Sequence, residues 1–218
     1  MEKWKTRVGY GAGDLGCNLV FSTMSSYLLF FYTDVFGITA AVAGTLMLVT
    51  KIIDAFTDTG MGILVDRTNT RWGQGRPYFL VGAIPFFVFT VFTFSVADFN
   101  MTGKIIWAYV TYCLLSTAYT VVNIPLNTIV PRLTSDNHER NILVSSRMIC
   151  ALIGTALVMS ITMPLVHFFG QGDTQRGFLI TMSLYGFLAM LIFIFTFMNT
   201  KEVIPPSVQP GKSSLKQD

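Results

Sequence analysis

Six apolar runs, each about as long as a helix that crosses a bilayer, alternate with short polar breaks along this chain of 218 residues. A helix of ~20 apolar residues spans the ~30 Å of hydrocarbon, and lipid offers backbone groups no partner outside the helix itself. The runs predict helices near 8–33, 38–65, 78–97, 104–130, 142–169 and 177–198. Between them lie FGI, DRTNTRWGQGRP, DFNMTG, RLTSDNHER and GQGDTQRG. The fold class expected is therefore an all-α membrane protein with six transmembrane helices. Only 12% of the residues are charged, about half the share usual in a soluble domain, and 52% are hydrophobic. Two groups of three spans are compatible with a 3+3 inverted repeat, although no internal sequence match supports one.

Lysine and arginine placement sets the expected orientation. Lys3, Lys5, Arg7, Arg67, Arg71, Arg76, Arg132, Arg140, Lys201, Lys212 and Lys216 fall on one side, eleven in all, against Lys104 and Arg176 on the other. Both termini are thus expected in the cytoplasm. The chain divides into a six-helix unit over 1–200 and a polar, Pro-rich tail over 201–218, which reads as flexible. The start, MEKWKTRVGYGAGDLG, lacks the compact apolar core and cleavage site of a signal peptide, so the first span is expected to be retained. Cys17, Cys113 and Cys150 lie within apolar runs without metal-ligand spacing, and read as packing residues. His138 and His167 are the two histidines, and no catalytic constellation or paired metal motif accompanies them. An enzyme is not expected, and no cofactor.

The second run contains TKIIDAFTDTG, which places three charges at bilayer depth. Each costs at least ~2.5 kcal/mol on insertion scales, so all three require a reason. Lys51, Asp54 and Asp58 follow i, i+3, i+7 spacing and share one helix face, with Thr57 at its edge. Two readings stand. Lys51 can balance one aspartate in a static ion-paired knot, leaving the other unpaired unless Arg147 reaches it. Alternatively the second carboxylate takes a proton or binds a cation, and carboxylates beside a hydroxyl suit sodium and proton exchange equally.

Other polar groups lie at the same depth. Asp14 and Asn18 are four apart on the first span, on one face with Ser22. In TVVNIPLNT on the fourth, Thr120, Asn123 and Asn127 recur on one face around Pro125, whose missing donor frees a carbonyl near Val121. Arg147 adds a guanidinium on the fifth. Such amides, hydroxyls and a guanidinium match the needs of a sugar's hydroxyls, and equally serve as interhelical hydrogen bonds. In the loop after the second span, Asp66 with Arg67, Arg71 and Arg76 can form an ion-pair latch, with DNHER as a second partner, or can simply set topology. Gly60 and Gly62 permit close helix approach.

Taken together, YGAGDLG, LLFFYTDVFGI, the DAFTD pair, DRTNTRWGQGRP and YTVVNIP resemble the glycoside–pentoside–hexuronide:cation symporters of the major facilitator superfamily, from the N-terminus to about residue 202. The resemblance implies one six-helix half of a twelve-helix carrier in a bacterial inner membrane. It implies that Asp54 and Asp58 bind the coupling cation, sodium or a proton, with Thr57 and Thr120 beside them. It implies that Asn18, Asn123 and Arg147 contact sugar. Asn127 stands where the melibiose-type pattern has tryptophan, Asn18 and Asn123 where it has aspartates, and Cys17 where it has lysine. These departures point to glucuronide-like or pentoside-like substrates. A half of this kind is expected to need a C-terminal half, or a second copy, to transport. An inactive membrane fragment and a lipid or lysolipid carrier are the alternatives.

Overall fold

The computed structural model describes residues 3–96 and 99–203. Of the tail expected over 201–218, the part from 204 on, with Lys212 and Lys216, lies outside the described residues. Seven helices occur among those described: α1 (Lys3–Phe30), α2 (Ala40–Arg67), α3 (Arg76–Thr93), α4 (Met101–Thr128), α5 (Val130–Leu133), α6 (Asn137–Gly170) and α7 (Thr174–Asn199). A π-helical turn, Phe31–Val35, extends α1. All except α5 are long and apolar enough to cross a membrane.

The helices outrun the apolar runs that predict them, because polar caps carry them past the lipid core. The Asp136 side chain accepts from the His138 N–H at 2.9 Å, so α6 starts at Asn137 rather than near 142. Asn100 likewise accepts from Gly103 N–H at 2.9 Å and starts α4. Three ends fall short instead: α2 starts at Ala40 rather than near 38, α3 ends at Thr93 rather than near 97, and α4 ends at Thr128 rather than near 130. Pro131 has no N–H to offer, and α4 accordingly ends at Thr128 and gives way to the single turn of α5.

The helix α1 packs on α6 and α7, while α3 packs on α4 and α7. The α6–α7 hairpin is drawn tight at Gly177, where any Cβ would fall on the backbone carbonyl of Val166. By contrast α2 lies at the periphery. It packs mainly on α4, and of its 28 residues Ala43, Leu46, Thr50, Met61 and Val65 are buried. Gly60 and Gly62 face open space, so the close approach expected there is not made among the described residues.

The two ends of the bundle are sealed differently. At one, Phe31 packs its ring 5.0 Å from Phe94 and 5.4 Å from Phe178, all three fully buried. The other, basic end is held by ion pairs. Glu139 of α6 binds Lys3 at 2.9 Å and Arg7 at 2.7 Å, both on α1, and Arg132 of α5 meets Asp66 of α2 at 3.5 Å.

Candidate functional site

The acidic stripe of α2 meets a matching stripe of α4. Ser116 Oγ donates to Asp54 Oδ1 at 2.5 Å, and Thr120 Oγ1 donates to Asp58 Oδ1 at 2.8 Å. Further along the same seam Thr50 Oγ1 lies 3.7 Å from Cys113 Sγ, and the Thr45 and Tyr109 hydroxyls meet at 3.1 Å. Partner numbers rise together, so the helices run parallel, and each carboxylate finds a hydroxyl one turn from the last. Lys51 Nζ approaches the other oxygen of Asp54 at 3.5 Å. Asp54 is thus held by an ammonium and a hydroxyl, whereas Asp58 has a hydroxyl and stands exposed. Thr57 turns back, donating to the Asp54 backbone carbonyl at 3.1 Å, and does not line the cavity.

These carboxylates open into a cavity of about 520 Å³ between α1, α2 and α4. The pocket persists because α2 barely touches α1. Its α1 wall is Phe21, Met24 and Ser25, and Phe21 stacks on Tyr119 of α4 with ring centroids 5.0 Å apart. The Lys51 ammonium lies 5.9 Å from the Phe21 ring centroid.

One turn along α1 and α4 from that aromatic pair lies a continuous polar chain. Arg147 Nε meets Asp14 Oδ1 at 3.1 Å, so the guanidinium is committed to α1 and does not reach the second α2 carboxylate. Arg147 Nη1 donates to Asn127 Oδ1, and Asn127 Nδ2 donates to Asn123 Oδ1 at 2.8 Å. Asn18 Nδ2 donates to the Asp14 carbonyl at 2.9 Å, and the Asn18 Oδ1 accepts from Thr155 at 3.4 Å. The chain joins α1, α4 and α6. Asp14 is buried at 6% exposure, a depth at which a carboxylate needs such a partner. The fully buried Tyr10 hydroxyl donates to the Leu126 carbonyl at 3.0 Å, beside the α4–α5 break.

The latch expected in the α2–α3 loop is wired differently. Asp66 pairs with Arg132, not with Arg67, Arg71 or Arg76. Arg71 stacks on Trp72 at 4.7 Å, and Arg76 donates to the Phe197 carbonyl at 2.8 Å. In DNHER, Glu139 serves α1 rather than this loop.

Ser116, Phe21, Tyr119 and Thr155 were not singled out from sequence. A signal existed for Ser116, which precedes Thr120 by the same four residues that separate Asp54 from Asp58. The Phe21–Tyr119 stack had none, because aromatic residues occur throughout such spans.

A family profile described as MFS/sugar transport protein matches residues 9–216. The isoprimeverose transporter of Lactiplantibacillus pentosus is 46% identical over 99% of this chain and 46% of the relative. YagG of Escherichia coli (strain K12), provisionally named a glycoside/cation symporter, is 45% identical over 97% of this chain and 46% of its own length. A glucuronide carrier protein homolog of the same strain is 32% identical over 99% of this chain and 48% of its own length. The chain spans about half the length of the curated relatives it matches. It belongs to the MFS/sugar transport protein family, among the glycoside–pentoside–hexuronide:cation symporters, as a multi-pass membrane protein whose relatives are transporters and not enzymes.

Proposed function

We propose that this chain forms one six-helix half of a sugar:cation symporter, with both ends on the cytoplasmic face of the inner membrane. In this reading Asp54 and Asp58, with the hydroxyls of Ser116 and Thr120, receive the coupling sodium ion or proton. Asn18, Asn123, Asn127, Arg147 and Asp14 supply one wall of the sugar site. The observation that carries the reading is the pairing of each α2 carboxylate with an α4 hydroxyl at the wall of one cavity. All the donors are hard oxygens, which suit sodium, and the carboxylates equally accept a proton. The static-knot alternative loses its main support, because Arg147 is spent on Asp14 and Asp58 keeps no cationic partner among the described residues. Lys51 is then the charge that balances Asp54.

The sugar is of the pentoside or glucuronide type, in keeping with the names of the relatives. Transport requires a second six-helix unit, since alternating access rocks two bundles about a site between them. The test is uptake into vesicles of a labelled isoprimeverose or glucuronide, with this chain alone and with a C-terminal half supplied from a relative. Uptake driven by a sodium or proton gradient only in the paired sample supports the reading. Gradient-driven uptake by the chain as a monomer overturns the requirement for a second half. No coupled uptake of either sugar in a paired sample that assembles overturns the symporter assignment.

A further inference from the structure

The segment that follows α7 does not leave the bundle at once. From Thr200 it crosses the basic end, and the Glu202 side chain points into the start of α3. There its Oε1 accepts from Gln74 N–H at 3.0 Å, Gly75 N–H at 2.8 Å and Arg76 N–H at 3.2 Å, and its Oε2 also lies 3.0 Å from Gln74 N. Three consecutive backbone donors converge on one carboxylate, where the helix dipole favours negative charge. The loop is shaped for this occupant. Gly73 holds φ at +113°, and a Cβ there would overlap the Glu202 carboxyl carbon.

A second hold lies one residue on. Val203 N–H donates to the Arg132 carbonyl at 3.0 Å, and the Arg132 guanidinium pairs with Asp66 at the end of α2. A third comes from the end of α7 itself, where Arg76 donates to the Phe197 carbonyl and stacks on its ring at 4.8 Å. The segment therefore grips both flanks of the α2–α3 loop. This matters because α2, the helix that carries Lys51, Asp54 and Asp58, has little else to position it besides α4.

We infer that residues 200–203 act as a strap with Glu202 as its bolt, fixing the α2–α3 loop and the adjoining end of α2 while the carboxylate is seated on the α3 amides. Release of Glu202 frees that loop and loosens α2, which makes the position of the acidic helix conditional on the segment after α7. The inference does not depend on which ion or sugar is carried.

Hydrogen–deuterium exchange of the purified chain in lipid nanodiscs tests it. In Glu202→Gln, the side chain loses its charge, and the amide nitrogen that replaces Oε2 presents a donor to the Gln74 N–H. Seating by charge-assisted hydrogen bonds sets local opening, so exchange at Gln74, Gly75 and Arg76 should rise on the order of tenfold. The loop at 68–72 should follow, while α7 and the α3 interior from Phe79 onward keep wild-type rates. Gly73→Ala expels the same carboxylate without changing its charge, and should accelerate the same amides. The double variant should be no faster than the faster single variant, because both remove one contact. Unchanged exchange at 74–76 in both single variants, uniform acceleration across all helices, or additive effects in the double variant would each overturn the strap.

Discussion

Ser116 Oγ lies 2.5 Å from Asp54 Oδ1, and the two residues stand in the same relation as Thr120 and Asp58 one turn further along the seam. The seam between α2 and α4 thus carries a ladder of hydroxyls and carboxylates beside its buried apolar side chains. In lipid such groups cost free energy unless paired, so the ladder joins the helices while holding its oxygen atoms in one row.

Ser116→Ala should weaken the coupling cation without abolishing sugar recognition. A hydrogen bond to a charged group contributes about 1.5–3 kcal/mol, so the apparent cation affinity should fall by roughly tenfold or more. Thr120→Ala should do the same through Asp58. Sugar uptake against cation concentration, in the chain paired with a C-terminal half, gives the measurement. Equal cation dependence in both variants and wild type would separate the hydroxyls from the ion.

Lys51 occupies one oxygen of Asp54, with its own side chain 66% exposed. Exposed pairs contribute about 0.2–1 kcal/mol, and removing a competing ammonium should improve cation affinity by about two- to fivefold. Lys51→Met is therefore expected to lower the cation concentration needed for half-maximal uptake. A rise in that concentration would assign Lys51 a supporting role instead.

Asp14→Asn leaves the Arg147 guanidinium without its carboxylate in a site where Asp14 is 6% exposed. Breaking a buried pair from one side costs about 3–5 kcal/mol, which should lower the melting temperature in detergent clearly. Arg147→Gln added to Asp14→Asn should restore part of the loss. A double variant as unstable as the sum of both singles would show that the two residues do not act as a pair.

Gly177→Ala and Gly60→Ala should differ sharply. The first drives a methyl group into the Val166 carbonyl and should destabilise the α6–α7 hairpin by about 1–3 kcal/mol or more. The second meets open space and should be neutral or slightly stabilising in this chain, since alanine favours helix. Thermal melts of the two variants side by side provide the comparison.

The span positions were legible because lipid imposes a length, and an apolar run of that length has few other uses. Their ends were not, since Asp136 and Asn100 add capped polar turns outside the hydrocarbon that hydropathy does not report. The shared face of Lys51, Asp54 and Asp58 followed from helical spacing. Which helix answers that face did not, because the pairing with Ser116 and Thr120 is a tertiary choice. Arg147 shows the same limit: its depth was readable and the second α2 carboxylate stood as its partner, whereas packing pairs it with Asp14. Glu202 was missed because it sits in a polar tail, where a glutamate carries no local signal of being seated on a helix start.

The contrast between the two sealed ends has a consequence for how the bundle responds to its surroundings. Phe31, Phe94 and Phe178 are held by dispersion and exclusion of water, neither of which dissolved ions screen. At the opposite end Asp66 is 60% exposed where it meets Arg132, and Lys3 is 70% exposed where it meets Glu139. Mobile ions reach such pairs, and the screening length shrinks to ~3 Å at molar salt. Rising ionic strength should therefore weaken the basic pole before the aromatic one.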